Sequence, residues 1–510
     1  MSRRWGIIAI VVVWACLMAW LIRYEAFPER FGTRYAGYRD YFKRGLVMMD
    51  NWMVISFKGA RIGYSHTQID VDEASLGQQT LINNQTVLRL KIMDQVQVIR
   101  VSASAMLDAL HNLQTFNFTL GSRGFFINLD GQRQKGQTFK INLRSTGGDQ
   151  QLKMDIPDDA MIYSPMTELA LRQLAPGREI RLRTFNPATM GVDDIAVRAV
   201  RRETIKQGGK ERRTTLLAVD YHGMEVKSWI DLDDGAIVRQ ETPMGWVLEA
   251  STPSEALKAS TGETGGEDVL IAMAVPSSRP IADPRSLDRL HLRLRGPGLT
   301  NFVGVSHRQT CIHGDAAGVE LTLVADTIPP PPSAGAMVLT DDLRRLTNAS
   351  TFIQATHPAM VRQARQITGT ATNAVAAALA IGEWVFKNVD KKITVSLPSA
   401  LDVLKQREGD CNEHTYLTVA LARAIGLPAK VIVGIVYHKG AFYYHAWPAV
   451  YVGRWLEMDP TFGQSAVDAT HIALLEGELQ DQMKLMSLLG RLQVEIIVDG
   501  TPPAVGKATP

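Results

Sequence analysis

The sequence predicts a multidomain protein with an N-terminal transmembrane helix, a mostly-β region and a C-terminal α+β domain. Three observations lead to this prediction. Residues 5–22 form an uncharged, mostly apolar run. Over residues 52–250 apolar and polar side chains alternate with a period close to two, which is typical of half-buried antiparallel strands. After four consecutive prolines at residues 329–332, segments with helical periodicity precede short apolar strands.

The composition is that of a globular chain. Of its 510 residues, 45% are hydrophobic and 21% are charged, which excludes whole-chain disorder and a collagen-like fibre. At about 150 residues per domain, this length corresponds to roughly three units. The formal net charge of +3 is too small for a chain of this size to indicate nucleic-acid binding. With only 3 cysteines, a disulfide framework is also excluded.

The first element is the apolar run, which we interpret as an uncleaved membrane anchor within residues 1–23. At about 1.5 Å per residue, a helix over residues 5–22 is just long enough to span a hydrocarbon core. The alternatives are a cleaved secretory signal, although no small-residue cleavage site follows, and a lipoprotein-type site at Cys16. We expect a single-pass protein of the cytoplasmic (inner) membrane with its body on the outer, periplasmic side. The arginines that flank the run do not decide this orientation.

Two β regions follow a juxtamembrane segment at residues 24–50. The first, at residues 51–258, is predicted to be a mostly-β domain, and its Asp234-Gly235 pair predicts a hairpin turn. A stretch rich in Gly and Thr then predicts a flexible linker, after which residues 268–327 are expected to form a smaller β segment. Because the first region shows no catalytic spacing, we expect it to serve as a packing or binding platform.

The predicted catalytic domain occupies residues 333–500, and residues 501–510 are expected to be a disordered tail. A helix is predicted to start at Cys411, because Asp410 is a good N-cap and Glu413 has the spacing of a capping box. Cys411 would then face the unpaired N–H groups at the positive end of the helix, which favours the nucleophilic thiolate. Taken alone, however, Cys411 could equally be a small buried apolar residue.

Three short strands are predicted after this helix, at residues 431–437, 441–452 and 454–458. His445 lies within the second strand, and Asp459 directly follows the third. Since adjacent strands lie about 4.8 Å apart, the carboxylate can orient the imidazole, and a cysteine at the other ring nitrogen completes a nucleophile, a base and an orienting acid. Alone, His445 would more often be structural and Asp459 would belong to an Asp-Pro turn. Together with Cys411, they predict a catalytic triad.

Several short motifs resemble the transglutaminase-like superfamily of bacterial proteins, whose members share a papain-like core. They are Gly-Asp-Cys-Asn-Glu-His at 409–414, Tyr-His-Ala-Trp at 444–447, Asp-Pro-Thr at 459–461 and Asp-Ala-Thr-His-Ile at 468–472. The resemblance covers about residues 341–498. It implies Cys411 as the nucleophile, His445 as the general base and then acid, and Asp459 as the residue that orients the ring. It also makes Trp384 a candidate donor to the oxyanion, with packing as the alternative.

The resemblance implies acyl transfer without a cofactor. The Cys411 thiolate would attack an amide or peptide carbonyl, His445 would protonate the leaving amine, and the thioester would pass to water or to an amine. Hydrolysis of a protein or peptide is slightly favoured over cross-linking, because no acceptor site is visible in the sequence. A non-enzymatic envelope scaffold or binding protein is the alternative from another class.

Other polar residues near these motifs are expected to be structural. Cys411 and His414 have the spacing of a metal pair, but four zinc ligands are not evident, and His414 is expected to be a first-turn surface residue. Cys311 and His313 are also expected to be structural, so no metal site is predicted. His471 is expected to begin a helix, with a place beside the active site as the alternative.

Overall fold

The computed structural model describes residue 18 and most of the chain from residue 49 onward. The described stretches are 49–72, 79–109, 112–162, 174–261, 266–315, 318–332, 339–393, 396–397 and 399–499. Apart from Met18, Met49 and Asp50, the predicted membrane anchor and juxtamembrane segment lie outside these residues, as does the predicted disordered tail. Within the described stretches, no helix has both the length and the apolar character needed to cross a membrane.

The first fifteen strands form one sheet. They are β1 (Met49–Phe57), β2 (Ala60–Asp72), β3 (Gln79–Ile92), β4 (Gln95–Leu107), β5 (Leu113–Ser122), β6 (Phe125–Lys135), β7 (Thr138–Ser145), β8 (Gly148–Asp155), β9 (Ala160–Ile162), β10 (Glu179–Asn186), β11 (Gly191–Gln207), β12 (Lys210–Tyr221), β13 (Met224–Asp231), β14 (Ile237–Glu241) and β15 (Trp246–Ala250). Their spatial order runs from β8 down to β1 and then from β15 down to β9, so β1 and β15 meet in the middle. The region is therefore built almost entirely from hairpins.

The alternating pattern buries one face of this sheet. In β5, Phe116 and Phe118 are buried, whereas the residues beside them are half-buried. The ring of Phe116 meets that of Phe185 on β10 in an edge-on contact, with centroids 5.1 Å apart. Since β5 and β10 belong to opposite halves of the strand order, the sheet curls so that its two inner faces pack together. The predicted turn at Asp234-Gly235 joins β13 to β14, and Gly235 has a φ of +77° there.

The first helix after β15 packs on strands β1 and β2 of the N-terminal sheet, and the other remaining elements form the C-terminal half of the molecule. Its strands are β16 (Val275–Pro276), β17 (Arg289–Arg295), β18 (Gln309–Asp315), β19 (Gly318–Val324), β20 (Asp390–Lys391), β21 (Glu408–Gly409), β22 (Ala429–His438), β23 (Ala441–Tyr451), β24 (Trp455–Glu457), β25 (Ile472–Glu476) and β26 (Gln493–Asp499). The α-helices are α1 (Pro253–Ala259), α2 (Val269–Ala272), α3 (Asp341–Arg345), α4 (Pro358–Thr368), α5 (Ala374–Asn388), α6 (Ala400–Gln406), α7 (Cys411–Ala424) and α8 (Leu479–Gln482).

Helix α7 is the centre of this half. One side of α7 packs against strands β22 and β23, and helices α4, α5 and α6 enclose its other sides. Strand β23 lies between β22 and the short β24, so the three strands predicted after the cysteine helix form an antiparallel sheet. The helix ends at Ala424, and Gly426 takes a φ of +84°, as expected where a helix is terminated.

The small β segment shares its sheets with the C-terminal core. Strand β17 pairs with β26, the last described strand, in a sheet ordered β18-β19-β17-β26. Strand β16 pairs with β23, which carries His445. In both sheets, hydrogen-bonded strand pairs connect the segment at residues 268–327 to the segment at residues 333–500. The division into two separate domains at these bounds stays a prediction.

The hairpin between β7 and β8 makes one of the contacts between the N-terminal sheet and the core, and the turn before β13 makes another, against Ser487. Ser145 Oγ donates to Asp402 Oδ1 over 2.9 Å, and the N–H of Gly147 donates to the same oxygen. Lys405 Nζ donates to the carbonyl of Thr146 over 3.0 Å. The Asp402 carboxyl is buried, its Oδ2 has no hydrogen-bond partner in the structure, and burial raises its pKa.

Candidate active site

Cys411 occupies the first position of α7, as the sequence predicts. Asp410 is the N-cap and accepts the N–H of Asn412 over 2.9 Å, while the Glu413 carboxylate accepts the N–H of Asp410 over 2.9 Å, which completes the predicted capping box. A Cβ atom on Gly409 would lie 2.2 Å from the Cβ of Glu413. Glycine is therefore required where the chain turns into the helix that presents the thiol.

The thiol of Cys411 lies against strand β23. It accepts a hydrogen bond from the backbone N–H of Ala446, the residue that follows His445. Burial and neighbouring carboxylates, above all that of Asp410, raise the pKa of the Cys411 thiol well above its ordinary value, and the Ala446 N–H only partly offsets them. The thiolate favoured by the helix terminus in the sequence argument is thus outweighed by burial. A base is needed to take the proton.

His445 and Asp459 are in direct contact. His445 Nε2 donates to Asp459 Oδ2 over 2.7 Å, and both residues are buried. Strand β24 pairs with β23 and delivers Asp459 beside the imidazole, as the strand spacing predicts. Because Nε2 is bonded to the carboxylate, Nδ1 is the ring atom left to face a thiol. Although burial acts in the opposite direction, the imidazole of His445 keeps the pKa of Asp459 well below its ordinary value.

The second oxygen of Asp459 is held by the backbone. Oδ1 accepts the N–H of Thr461 over 2.7 Å and that of Phe462 over 3.1 Å. The ring of Phe462 in turn stacks on the imidazole of His445, with centroids 5.2 Å apart. The Asp-Pro-Thr turn therefore fixes the carboxylate and also covers one face of the ring that the carboxylate orients.

His471 also belongs to this cluster, so the expectation that it begins a helix is wrong. It precedes strand β25 and is fully buried. Its Nε2 donates to Asp459 Oδ2 over 3.1 Å, and its Nδ1 lies 3.3 Å from Asp468 Oδ1. The alternative considered for His471, a place beside the site, is correct. The signal was available in the polar Asp-Ala-Thr-His stretch, which lies with Asp459 in the single connection between β24 and β25.

His414 is also misplaced by the sequence argument, because it is fully buried rather than on the surface. Its Nδ1 donates to the carbonyl of Asp410 over 2.7 Å, and its Nε2 lies 3.3 Å from the carbonyl of Val389. Burial lowers the pKa of His414. The first turn of α7 is enclosed by the surrounding helices, and this enclosure, which depends on tertiary packing, could not be inferred from the helical pattern alone.

The two other candidates lie outside the cluster. Trp384 is half-buried on α5, where the guanidinium carbon of Arg407 lies 4.2 Å from its ring centroid. This contact supports packing, the alternative considered for Trp384. Cys311 is a free, exposed cysteine on β18, and the neighbouring His313 pairs with Asp315 over 3.1 Å.

Within the described residues, the ligand-type atoms of His445, Asp459 and His471 lie within 4.8 Å of one another. The hydrogen bonds of 2.7 Å and 3.1 Å to the Asp459 carboxylate account for this closeness. We assign no metal to the group.

A comparison with protein families bears on the same segment. Residues 361–460 match the model of the transglutaminase-like superfamily. This segment is a transglutaminase-like domain. The match confirms the resemblance carried by the sequence motifs, and it spans Cys411, His445 and Asp459. No curated protein matches the chain.

Several solved structures resemble parts of this chain. A candidate cysteine protease from Cytophaga hutchinsonii is 17% identical, with 43% of this chain and 89% of that chain covered and a TM-score of 0.29. A DUF1089 family protein from Pseudomonas aeruginosa is 14% identical, with coverages of 35% and 89% and a TM-score of 0.22. A candidate protease from Parabacteroides distasonis is 10% identical, with coverages of 75% and 64% and a TM-score of 0.18. These likenesses say nothing about what this chain acts on.

Proposed function

We propose that this protein is a cysteine-dependent acyl-transfer enzyme that acts on amide or peptide bonds. Cys411 is the nucleophile, His445 the base and then the acid, and Asp459 the residue that orients the imidazole. The observation that carries the proposal is the 2.7 Å hydrogen bond between His445 and Asp459, next to a thiol bonded to the N–H of the neighbouring Ala446. The arrangement supplies the three roles that nucleophilic catalysis requires.

In the first half-reaction the proton of Cys411 Sγ moves to His445 Nδ1. The sulfur then forms a bond to the carbonyl carbon, and the carbonyl electrons move to the oxygen. The N–H groups of Asn412 and Glu413 already donate to the Asp410 side chain, so the N–H of Cys411 is the one at the start of α7 that is suited to help hold that oxyanion. When the intermediate collapses, the carbon–nitrogen bond breaks, and the departing amine takes the proton from His445. A thioester on Cys411 remains.

In the second half-reaction an acceptor attacks the carbonyl carbon of the thioester while His445 removes the acceptor's proton. The carbon–sulfur bond then breaks, and the Cys411 sulfur takes that proton back from His445. Water as the acceptor gives a carboxylic acid, so the enzyme is then a protease or amidase of a protein or peptide. A primary amine as the acceptor gives a new amide, which is protein cross-linking. The Cys411 machinery is the same in both cases, and we place hydrolysis first because the sequence offers no recognisable amine-acceptor site. A non-enzymatic scaffold is the outcome if the thiol proves inert.

The triad is tested by the reactivity of the thiol toward iodoacetamide, followed peptide by peptide with mass spectrometry. A Cys311→Ser background removes the exposed free cysteine and is itself the matched control. We expect Cys411 to react with a pH dependence that is lost in His445→Ala. Equal Cys411 reactivity with and without the imidazole would overturn the triad and favour the scaffold.

The acyl donor and acceptor are tested in a second experiment. The Cys311→Ser chain is incubated with a tryptic digest of envelope proteins, with and without a fluorescent primary amine. We expect an acyl adduct on Cys411, and free acid as the main product even with the amine present. Product formation that is undiminished in Cys411→Ser would exclude Cys411 as the nucleophile, and preferential amine incorporation would reverse the order of the two activities.

We further propose that residues 5–22 anchor the protein in the cytoplasmic membrane, with its body on the periplasmic side. The support is the apolar run in the sequence, bounded by arginines. The full chain is expected to stay with membranes after alkaline extraction, whereas a variant that lacks residues 1–23 is released. A reporter fused after Pro510 that is active only in the cytoplasm would contradict the orientation.

A further inference from the structure

The carboxylate of Asp459 is shared between two histidines. Its Oδ2 lies 2.7 Å from His445 Nε2 and 3.1 Å from His471 Nε2. The two imidazole centroids are 5.9 Å apart, with an angle of 61° between the ring planes. Because Oδ1 accepts two backbone N–H groups, each oxygen of Asp459 has two donors. A second side chain thus holds the residue that orients the proposed base.

On its other side, His471 faces another buried carboxylate. Its Nδ1 is 3.3 Å from Asp468 Oδ1, which also accepts the N–H of Thr470 over 2.7 Å. Asp468 Oδ2 accepts from Arg285 Nη1 and from Gln464 Nε2, each over 2.8 Å. The ring is therefore clamped between two carboxylates, one of which is anchored by an arginine.

The contact between His471 Nδ1 and Asp468 lacks hydrogen-bond geometry, so Nδ1 has no hydrogen-bond partner among the described residues, and its closeness to the carboxylate is that of an ion pair, which requires a proton on both ring nitrogens. Although burial lowers it, the pKa of His471 is raised overall by Asp459 and Asp468. The other titratable or charged groups that face the ring are His445 from β23 and Arg308, whose Nη2 donates to the His471 carbonyl over 3.0 Å. Neither group opposes protonation as strongly as the two flanking carboxylates favour it.

We propose that His471 is a positioning residue of the active site, which acts as an imidazolium through Asp459. It fixes the carboxylate toward His445, and it neutralises part of the negative charge that Asp459 places near the Cys411 thiol. This inference rests on the proposed function, since it concerns the same thiol and base. Without the imidazolium of His471, Asp459 would keep its two backbone donors and His445 but lose its fourth donor, and its full charge would disfavour the thiolate.

The test is the pH dependence of Cys411 alkylation by iodoacetamide in the full chain with the Cys311→Ser background. His471→Gln keeps a side-chain amide near Asp459 but removes the charge. We expect the alkylation profile of Cys411 to move to higher pH by about one unit, because a positive charge that lies 5.9 Å from the imidazole of His445 and is bonded to Asp459 has been removed. At a fixed pH below the midpoint, this corresponds to a roughly tenfold slower reaction.

The matched control is His222→Gln in the N-terminal sheet. His222 Nε2 lies 3.3 Å from Asp193 Oδ1, and although burial opposes it, this carboxylate raises the pKa of His222 as well. The same chemical change there is expected to leave the profile of Cys411 unmoved. A purely structural role for His471 predicts lower stability with an unchanged midpoint, and that result in a folded His471→Gln chain would overturn the proposal.

If His471→Gln does not fold, as judged by its thermal transition, the alkylation profile of Cys411 is measured in Asp468→Asn instead. This variant keeps the ring and its bond to Asp459 and removes only the second carboxylate, so we expect a smaller shift in the same direction. If Asp468→Asn also fails to fold, the proposal is tested by NMR of the wild-type chain with 15N-labelled histidine. The proposal requires that the buried His471 ring carries a proton on both nitrogens at pH 7. A wild-type Cys411 without pH-dependent reactivity would instead refute the proposed function itself.

Discussion

The two halves of this molecule differ in how deeply their ion pairs are buried: in the N-terminal sheet even the buried carboxylate of Asp231 pairs with an Arg212 side chain that is 40% exposed. In the N-terminal sheet, ion pairs such as Arg213 with Asp233 lie at the surface, with both side chains more than half exposed. In the C-terminal core, Arg308 and Glu457 pair at 2.9 Å with side chains only 1% and 2% exposed. Burying an ion pair is costly unless each charged group is fully bonded. The core keeps such a pair with both side chains buried, whereas the Arg213–Asp233 pair of the sheet stays exposed to solvent. The comparison separates a region built for packing from one built around polar chemistry.

The largest difference between the two halves is expected when the acid at the centre of the core, Asp459, is neutralised. Asp459→Asn keeps the shape of the side chain but cannot balance an imidazolium on His445. We expect turnover to fall by about 10⁴-fold, with slower alkylation of Cys411 in parallel. Asp233→Asn, which changes a surface carboxylate of the N-terminal sheet, is the control and should leave the rate unchanged. A loss of less than tenfold in Asp459→Asn would argue against the triad.

A second prediction compares the two ion pairs directly through the free energy of unfolding. Arg308→Met leaves the Glu457 carboxylate buried without its cation, and we expect a loss of about 3–5 kcal/mol. Arg213→Met removes an exposed cation, for which we expect a loss below about 1 kcal/mol. Urea unfolding of both variants measures the difference. Similar losses of unfolding free energy in the two variants would contradict the claim that the buried ion pair of the core and the exposed ion pair of the sheet differ in cost.

The contact between the halves gives a smaller effect that depends on pH. Burial raises the pKa of Asp402 above its ordinary 3.8, so its ionised form is disfavoured in the folded chain. The folded state therefore loses stability as the pH rises above 3.8 and through the raised pKa of Asp402. Asp402→Asn should remove this loss and raise the free energy of unfolding at pH 8 by about 1 kcal/mol, with little change at pH 4. Thermal unfolding at both pH values measures it, and equal effects at pH 4 and 8 would contradict the prediction.

The smallest effect is expected in the N-terminal sheet alone. Gly235 has a φ of +77° in the turn between β13 and β14. Gly235→Ala should cost about 1 kcal/mol, whereas Gly235→Asn, which tolerates this conformation better, should cost less. Neither change is expected to alter alkylation of Cys411, and a slower reaction in the alanine variant would show that the two halves are coupled more tightly than their contact suggests.

Local patterns in the sequence were sufficient to predict part of the site. Asp410 and Glu413 predict the helix start because a capping box spans only a few residues, and His445 and Asp459 meet because their strands are neighbours in both sequence and space. The same locality explains the turn at Gly235. These features depend on spacing along one stretch of chain, which a single sequence contains in full.

The remaining features depend on contacts between distant segments. From the sequence, His471 is expected to begin a helix, because neither helical nor strand periodicity shows that the connection between β24 and β25 folds back and returns its end to Asp459. His414 is buried only because other helices enclose α7. The pairing of β26 with β17 likewise joins segments far apart in the chain, and nothing in the alternation of either strand names the other as its partner.

The pairing of β16 with β23 and of β17 with β26 has a practical consequence for fragment design. A cut within the proline run at residues 329–332 would divide the chain, yet each piece would keep strands that complete a sheet of the other. If the two pieces on either side of the cut are expressed separately and then mixed, they should therefore associate into one folded body. Conversely, an expression fragment that begins after the prolines would expose two bare sheet edges and be prone to aggregate.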